Sequence, residues 1–211
     1  MSARGSLPVI GIVGGIGSGK SSVAKHLAET RQLLILDGDR VAHELLKNTT
    51  VQQEIRSRFG DAVFNDSGVV DRPALGRLVF GSTPQHQSAL EDLESILHPR
   101  IREEFQKHIQ SANELQEHEA IVLDAALLLE AGWQTLCTAV IFVDTPAEIR
   151  QRRVVENRGW AKDELSRRES NQLSILEKKK LSQFTIDNSG SLEAATASLN
   201  DILDQILETT S

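Results

Sequence analysis

Two short stretches hold residue types at spacings that do chemistry. In VIGIVGGIGSGKSSVAKHL, Gly14, four residues, then Gly19, Lys20 and Ser21 complete the pattern G-x4-G-K-[ST] between an apolar run and a helical one. Glycines let backbone N–H groups turn inward around a phosphate, and the positive end of the following helix adds to them. The Lys20 ammonium reaches the outer phosphates, and the Ser21 hydroxyl can ligate magnesium. Reading a dinucleotide fingerprint from Gly15 fails, because Lys20 stands where the third glycine belongs. Downstream, the apolar run of LLILDGDRVAHEL ends in Asp37 and Asp39 with one glycine between them. At the C-terminal end of a parallel strand, acids two residues apart point the same way if the strand persists. One could then take a proton from an acceptor hydroxyl while the other supports it or a metal-bound water. Read as plain structure, Asp39 would be a helix N-cap and Asp37 a turn residue.

Phosphoryl transfer needs charge stabilisation, a metal, and a base or orienting group. Asp124 closes the next apolar run, in VLDAALLLEAGW, where it either helps hold a magnesium shell or is a turn acid; Glu130 reads as a helix-surface or core-edge residue. Between Arg150 and Arg168, RQRRVVENRGWAKDELSRR carries seven Lys or Arg against three acids, a local cationic segment in an acidic chain. Such a segment can be a lid whose arginines close over a triphosphate, with Arg153, Arg158 and Arg168 the functional candidates. Arg152, Lys162 and Arg167 read as a solvated face, and Lys178-Lys179-Lys180 as a helix surface. No histidines form a metal-spaced cluster; His43, one turn after Asp39, is the one placed near the acids. The base-reading N-K-x-D of switch GTPases and the LSGG of transporter ATPases are both absent. What remains is phosphoryl transfer to a small acceptor, or an NTPase acting on a larger partner.

The elements that position these residues follow from hydrophobic patterning. Apolar runs at residues 7–13, 33–36, 120–123, 139–143 and, more weakly, 184–186 read as buried strands. Helical periodicity covers residues 21–30, 41–47, 84–110, 146–157, 162–183 and 192–208. Alternation of the two implies a parallel sheet covered on both faces. The long gap before residue 120 reads as a helical insertion, with turns at Asp66-Ser67-Gly68 and Gly81-Ser82. With 211 residues and 39% hydrophobic content the chain can build its own core. A net charge of -7 argues against a general nucleic-acid or membrane-surface binder. A lone cysteine, Cys137, gives no disulfide framework, and neither a signal core nor a run near the roughly 18 residues of a membrane span is found. These features read as cytoplasmic.

Several motifs in order resemble those of the dephospho-coenzyme A kinases, a P-loop kinase family. GIVGGIGSGKSS is similar to the family's phosphate loop and LDGDRVAHEL to its D-x-D segment. GVVDRPALGRLVF and LESILHPRI, which holds His98, resemble its coenzyme-side helical insertion, and VLDAALLLEAG its next strand. ESNQLSILEKKKLSQFTIDNSGS is similar to its lid exit and adenine-side turn, with Arg168 four residues before Gln172 and Asn188 near the base. The resemblance implies a three-layer α/β P-loop NTPase fold with a five-stranded parallel sheet. Residues 7–48, 119–146 and 183–211 would form the nucleotide core, 49–118 the helical acceptor-side insertion and 147–182 the helical lid. It further implies transfer of the ATP γ-phosphate, with magnesium, to the 3'-hydroxyl of dephospho-coenzyme A, by a monomer or weak homo-oligomer. On that pattern Asp39 is the base, supported by Asp37, and Lys20 and Arg158 are charge stabilisers. Gly17, Ser18, Gly19, Lys20, Ser21 and Ser22 form the triphosphate cradle, with Arg153 and Asn188 also on ATP. His43, His98 and Arg168 join Asp39 on the acceptor side, and Ser21 and Asp124 serve the metal. Ala126, Leu129 and Arg150 depart from the family's usual residues and bear on the acceptor pocket wall. A kinase for another hydroxyl acceptor, and an ATP-binding module without transfer, are the rival readings.

Overall fold

The computed structural model describes residues 5–81, 83–159 and 162–210, apart from the side chains of residues 158, 162, 163, 167 and 210. All five apolar runs form strands: β1 (Val9–Gly14), β2 (Leu33–Asp37), β3 (Ala120–Asp124), β4 (Ala139–Asp144) and β5 (Phe184–Asp187). They make one parallel sheet in the order β2-β3-β1-β4-β5. Central β1 and β3 are buried at every residue, so they read as unbroken apolar runs. Edge strand β5 is buried only at Ile186, which accounts for its weak signal. Four strands end in an aspartate, and the register sets Asp37 beside Asp124 and Asp144 beside Asp187 at the carboxyl edge.

Alternate residues of the sheet, including Ile12, Val122, Ile141 and Ile186, pack against α1 (Lys20–Ala28) and α9 (Leu192–Thr210). Val23, Ala24 and Leu27 supply the buried face of α1, and Ala195, Leu199, Leu203 and Ile206 that of α9, each at the i, i+3/i+4 spacing of one helical stripe. At the opposite edge from the aspartates, Arg31 forms a forked pair with Glu119, at 2.7 and 2.8 Å, and also donates to Asn200 and Asp204 of α9. This knot ties the entries of β2 and β3 to the last helix.

The described residues of Met1–Asp37 and Gln106–Ser211 form one compact unit and Gly38–Phe105 a second. The second unit holds α2 (Gly38–Leu45), α3 (Thr49–Phe59), α4 (Arg72–Val79) and most of α5 (Pro84–Leu115). Val51, Ile55, Val63, Leu75, Val79 and Leu93 are among its core residues. Asn48 caps α3 by accepting from the Thr50 and Val51 amides, and Asp71 caps α4 by accepting from Ala74, with Pro73 in the first turn. Asp66-Ser67-Gly68 is a turn, closed by a bridge between Phe64 and Val70. In the other expected turn, Ser82 lies outside the described residues.

Residues 147–180 carry α6 (Ala147–Arg158), α7 (Lys162–Glu169) and α8 (Ile175–Lys180). The periodic stretch 162–183 is therefore two helices, not one. Its break is a capping box: Ser174 accepts from the Glu177 amide, while the Glu177 carboxylate accepts from the Ser174 amide and hydroxyl. Among the described residues no helix is long and apolar enough to cross a membrane.

Candidate active site

β1 delivers the chain into a loop that turns twice through left-handed backbone, at Gly17 (φ 80°) and Gly19 (φ 85°), before α1 begins at Lys20. Gly19 is required on two counts: its φ suits only glycine well, and a Cβ there would lie 2.5 Å from Asn188 Nδ2. Ser18, 1% exposed, is held through its carbonyl by three donors. The Thr145 hydroxyl donates at 3.0 Å, Asn188 Nδ2 at 2.6 Å and Arg153 Nη1 at 3.2 Å. Arg153 also donates to the Asn188 carbonyl, at 3.1 Å. The ends of β4 and β5 thereby brace the loop that follows β1.

Above the loop opens a cleft of about 510 Å³, lined by Gly17 to Ser22 on one side and by Arg153, Asn157 and Asn188 on the other. Loop amides, the start of α1 and two cations make it an anion cradle. Lys20 Nζ lies 3.7 Å from Asp124 Oδ1, and the Asp124 side chain is only 5% exposed. Beside it in the sheet stands Asp37, so two carboxylates and the loop lysine share the carboxyl edge. The Ser18 hydroxyl is buried without a hydrogen-bond partner among the described residues.

Not every expected residue falls where the spacing argument put it. β2 ends at Asp37 and α2 begins at Gly38, so strand alternation does not relate Asp37 to Asp39. Asp39 is exposed in the first turn of α2, where the helix dipole favours an anion, and it is not the N-cap. His43, one turn on, has its Nδ1 2.9 Å from Arg72 Nη1. His98 precedes Pro99 within α5. Arg168 donates to Glu164 one turn back, at 2.9 and 3.2 Å. Arg158 closes α6, and its side chain, with those of Lys162 and Arg167, lies outside the described residues. No group of three or more His, Cys, Asp or Glu forms a metal cluster among the described residues.

Three buried polar residues escaped the sequence reading. Thr145 braces Ser18. Lys178, read as helix surface, is 1% exposed and lies 3.0 Å from Glu130, with Gln172 Oε1 at 2.8 Å. Glu130 in turn accepts from the Leu173 amide, at 2.9 Å. The available signal was helical spacing, since Lys178 falls three residues after Ile175, on the inward face of α8. Arg150, noted from the sequence only as a departure from the family's usual residue, packs against the phosphate loop, donating to the Ile16 carbonyl at 3.2 Å.

A braced phosphate loop at the carboxyl edge of a β2-β3-β1-β4-β5 parallel sheet, covered by helices on both faces, gives the chain a P-loop α/β fold. The dephospho-CoA kinase family model matches residues 8–194. A dephospho-CoA kinase of Latilactobacillus sakei subsp. sakei is 37% identical over 198 residues, 93% of this chain and 95% of that protein. A crystal structure from Thermus thermophilus superposes with a TM-score of 0.78 at 33% identity, over 94% of this chain and 97% of that one. The dephospho-CoA kinase from Campylobacter jejuni, at 21% identity and a TM-score of 0.59 over 95% of this chain and 98% of that one, shares the fold. The chain belongs to the dephospho-CoA kinase family. It catalyses the last step of coenzyme A biosynthesis, phosphorylating the ribose 3'-hydroxyl of dephospho-coenzyme A at the expense of ATP.

Proposed function

We propose that the residues divide this reaction as follows. Gly17 to Ser22 cradle the ATP triphosphate, with Arg153 and Asn188 on the nucleotide side. Lys20 and Arg158 counter the charge that develops on the transferred group. Asp39 takes the proton as the 3'-oxygen forms its bond to the γ-phosphorus and the bond from that phosphorus to the bridging oxygen of ADP breaks. Asp37 supports Asp39, and His43, His98 and Arg168 contact the acceptor. Residues 49–118 serve as the acceptor-side insertion and 147–182 as the lid. The enzyme works in the cytoplasm as a monomer or weak homo-oligomer.

A magnesium ion suits this arrangement. Asp124 is a buried carboxylate beside Lys20, Ser21 follows it with a hydroxyl, and magnesium needs few protein ligands when phosphates and water complete its shell. Bound there, it would neutralise phosphate charge.

The observation that carries this reading is the Lys20 to Asp124 pairing beneath a loop braced from two further strands. Its test is Asp39→Asn assayed for ADP release dependent on dephospho-coenzyme A. We expect kcat to fall about 100-fold or more with KM for ATP little altered, the signature of a lost general base. Wild-type kcat in that variant would remove Asp39 from the proton-transfer role.

A further inference from the structure

Arg150 is buried, its side chain 9% exposed, yet it is absent from the wall of the phosphate cleft. Its guanidinium lies behind the loop. Nε donates to the Thr145 carbonyl at 3.2 Å and Nη1 to the Ile16 carbonyl at 3.2 Å, while Nη1 also pairs with the Glu169 carboxylate at the end of α7. The approach is close on both sides of Ile16. A Cβ on Gly15 would fall 2.6 Å from Arg150 Nη1, and one on Gly17 2.6 Å from the Arg150 carbonyl oxygen. A peptide unit is planar and trans, so its C=O and N–H point in opposite directions. Holding the Ile16 carbonyl toward Arg150 therefore turns the Gly17 N–H away from Arg150, and Gly17 lines the cleft.

We infer that Arg150 is a positioning residue for ATP: it fixes the Ile16–Gly17 peptide so that the Gly17 amide serves the triphosphate, and Glu169 makes this depend on the seating of α7. The inference rests on reading the loop as the ATP site. A buried guanidinium needs a counter-charge, and among the described residues its carboxylate partner is Glu169. Loosening α7 would strip that partner away and slacken the loop. Nucleotide affinity and the placement of α7 are thus linked through one side chain.

The test is a double-mutant cycle with Arg150→Gln, Glu169→Gln and the double variant, read by calorimetric titration with ADP and by steady-state kinetics. Each single variant should bind ADP about tenfold more weakly, the loss expected for one charge-assisted contact. The double variant should be little worse than either single one, because both remove the same coupling. KM for ATP should rise more than kcat falls, whereas a merely structural role would lower the melting temperature and leave KM alone. Glu169 is one-third exposed, so its variant removes less buried surface and is the milder of the two, and its melting temperature is measured beside its ADP affinity. Unchanged ADP affinity in the single variants, or losses that multiply in the double one, would overturn the inference. Lys20→Ala separates the two layers: wild-type ADP affinity there would sink the loop assignment and this inference with it. Weakened binding there beside normal binding in Arg150→Gln sinks the inference alone.

Discussion

Lys20 answers to two demands, since its ammonium faces a cleft built for phosphate and also neutralises a carboxylate that has almost no access to water. Lys20→Ala should lower kcat by about 10²–10³, the loss of one transition-state contact, as read by initial rates of ADP release. Its effect on melting temperature reports the second demand separately, because Asp124 is left without its ammonium partner. Residues whose work is local were legible from spacing: the glycines, Lys20 and Ser21 act through their own backbone and the helix they begin. Thr145 and Arg150 were not, because their partners Ser18 and Ile16 lie more than a hundred residues away. Asp39 was paired with Asp37 by a strand argument that the structure replaces, since the chain is already helical there, and it was the family resemblance that singled Asp39 out as the base.

At the scale of elements, legibility followed burial. Strands covered on both faces announced themselves, while the break between α7 and α8 hid inside a continuous periodic pattern, although S-x-x-E at Ser174 marked it. α8 shows what that break accomplishes. It presents Lys178 to Glu130, joining the segment after α7 to the loop after β3. Lys178→Ala should destabilise the protein by about 2–3 kcal/mol, because a half-buried carboxylate loses its partner and a fully buried stem is removed. Lys178→Met combined with Glu130→Gln should recover much of that loss, as the side-chain amide that replaces the carboxylate is uncharged and keeps an acceptor for the Leu173 N–H. Urea unfolding of the three proteins measures both, and a double variant no better than the single one would show that the pair's charge is not what matters.

Across the whole molecule, one polar cluster stands at the opposite edge of the sheet from the phosphate loop. The Arg31 knot lies at the amino edge, and its hydrogen bonds hold the Glu119 carboxyl below the usual glutamate range against the opposing effect of burial. A depressed folded pKa means that this stabilisation is complete above the ordinary value of about 4.3 and drains away as pH falls through the folded one. Glu119→Gln should therefore melt lower than wild type at pH 7, with the gap narrowing toward pH 3, while KM for ATP is unaffected. Melting curves at both pH values check it, and a gap that widened in acid would contradict the sign. The bracing of Ser18 has a different consequence, in the order of assembly. Its three donors stand 127, 135 and 170 residues further along the chain. During synthesis the phosphate loop leaves the ribosome early, but its bracing stays incomplete until Asn188 has emerged. Nascent chains stalled short of that point should hold nucleotide poorly, so ATP binding marks a finished fold and not a folding nucleus.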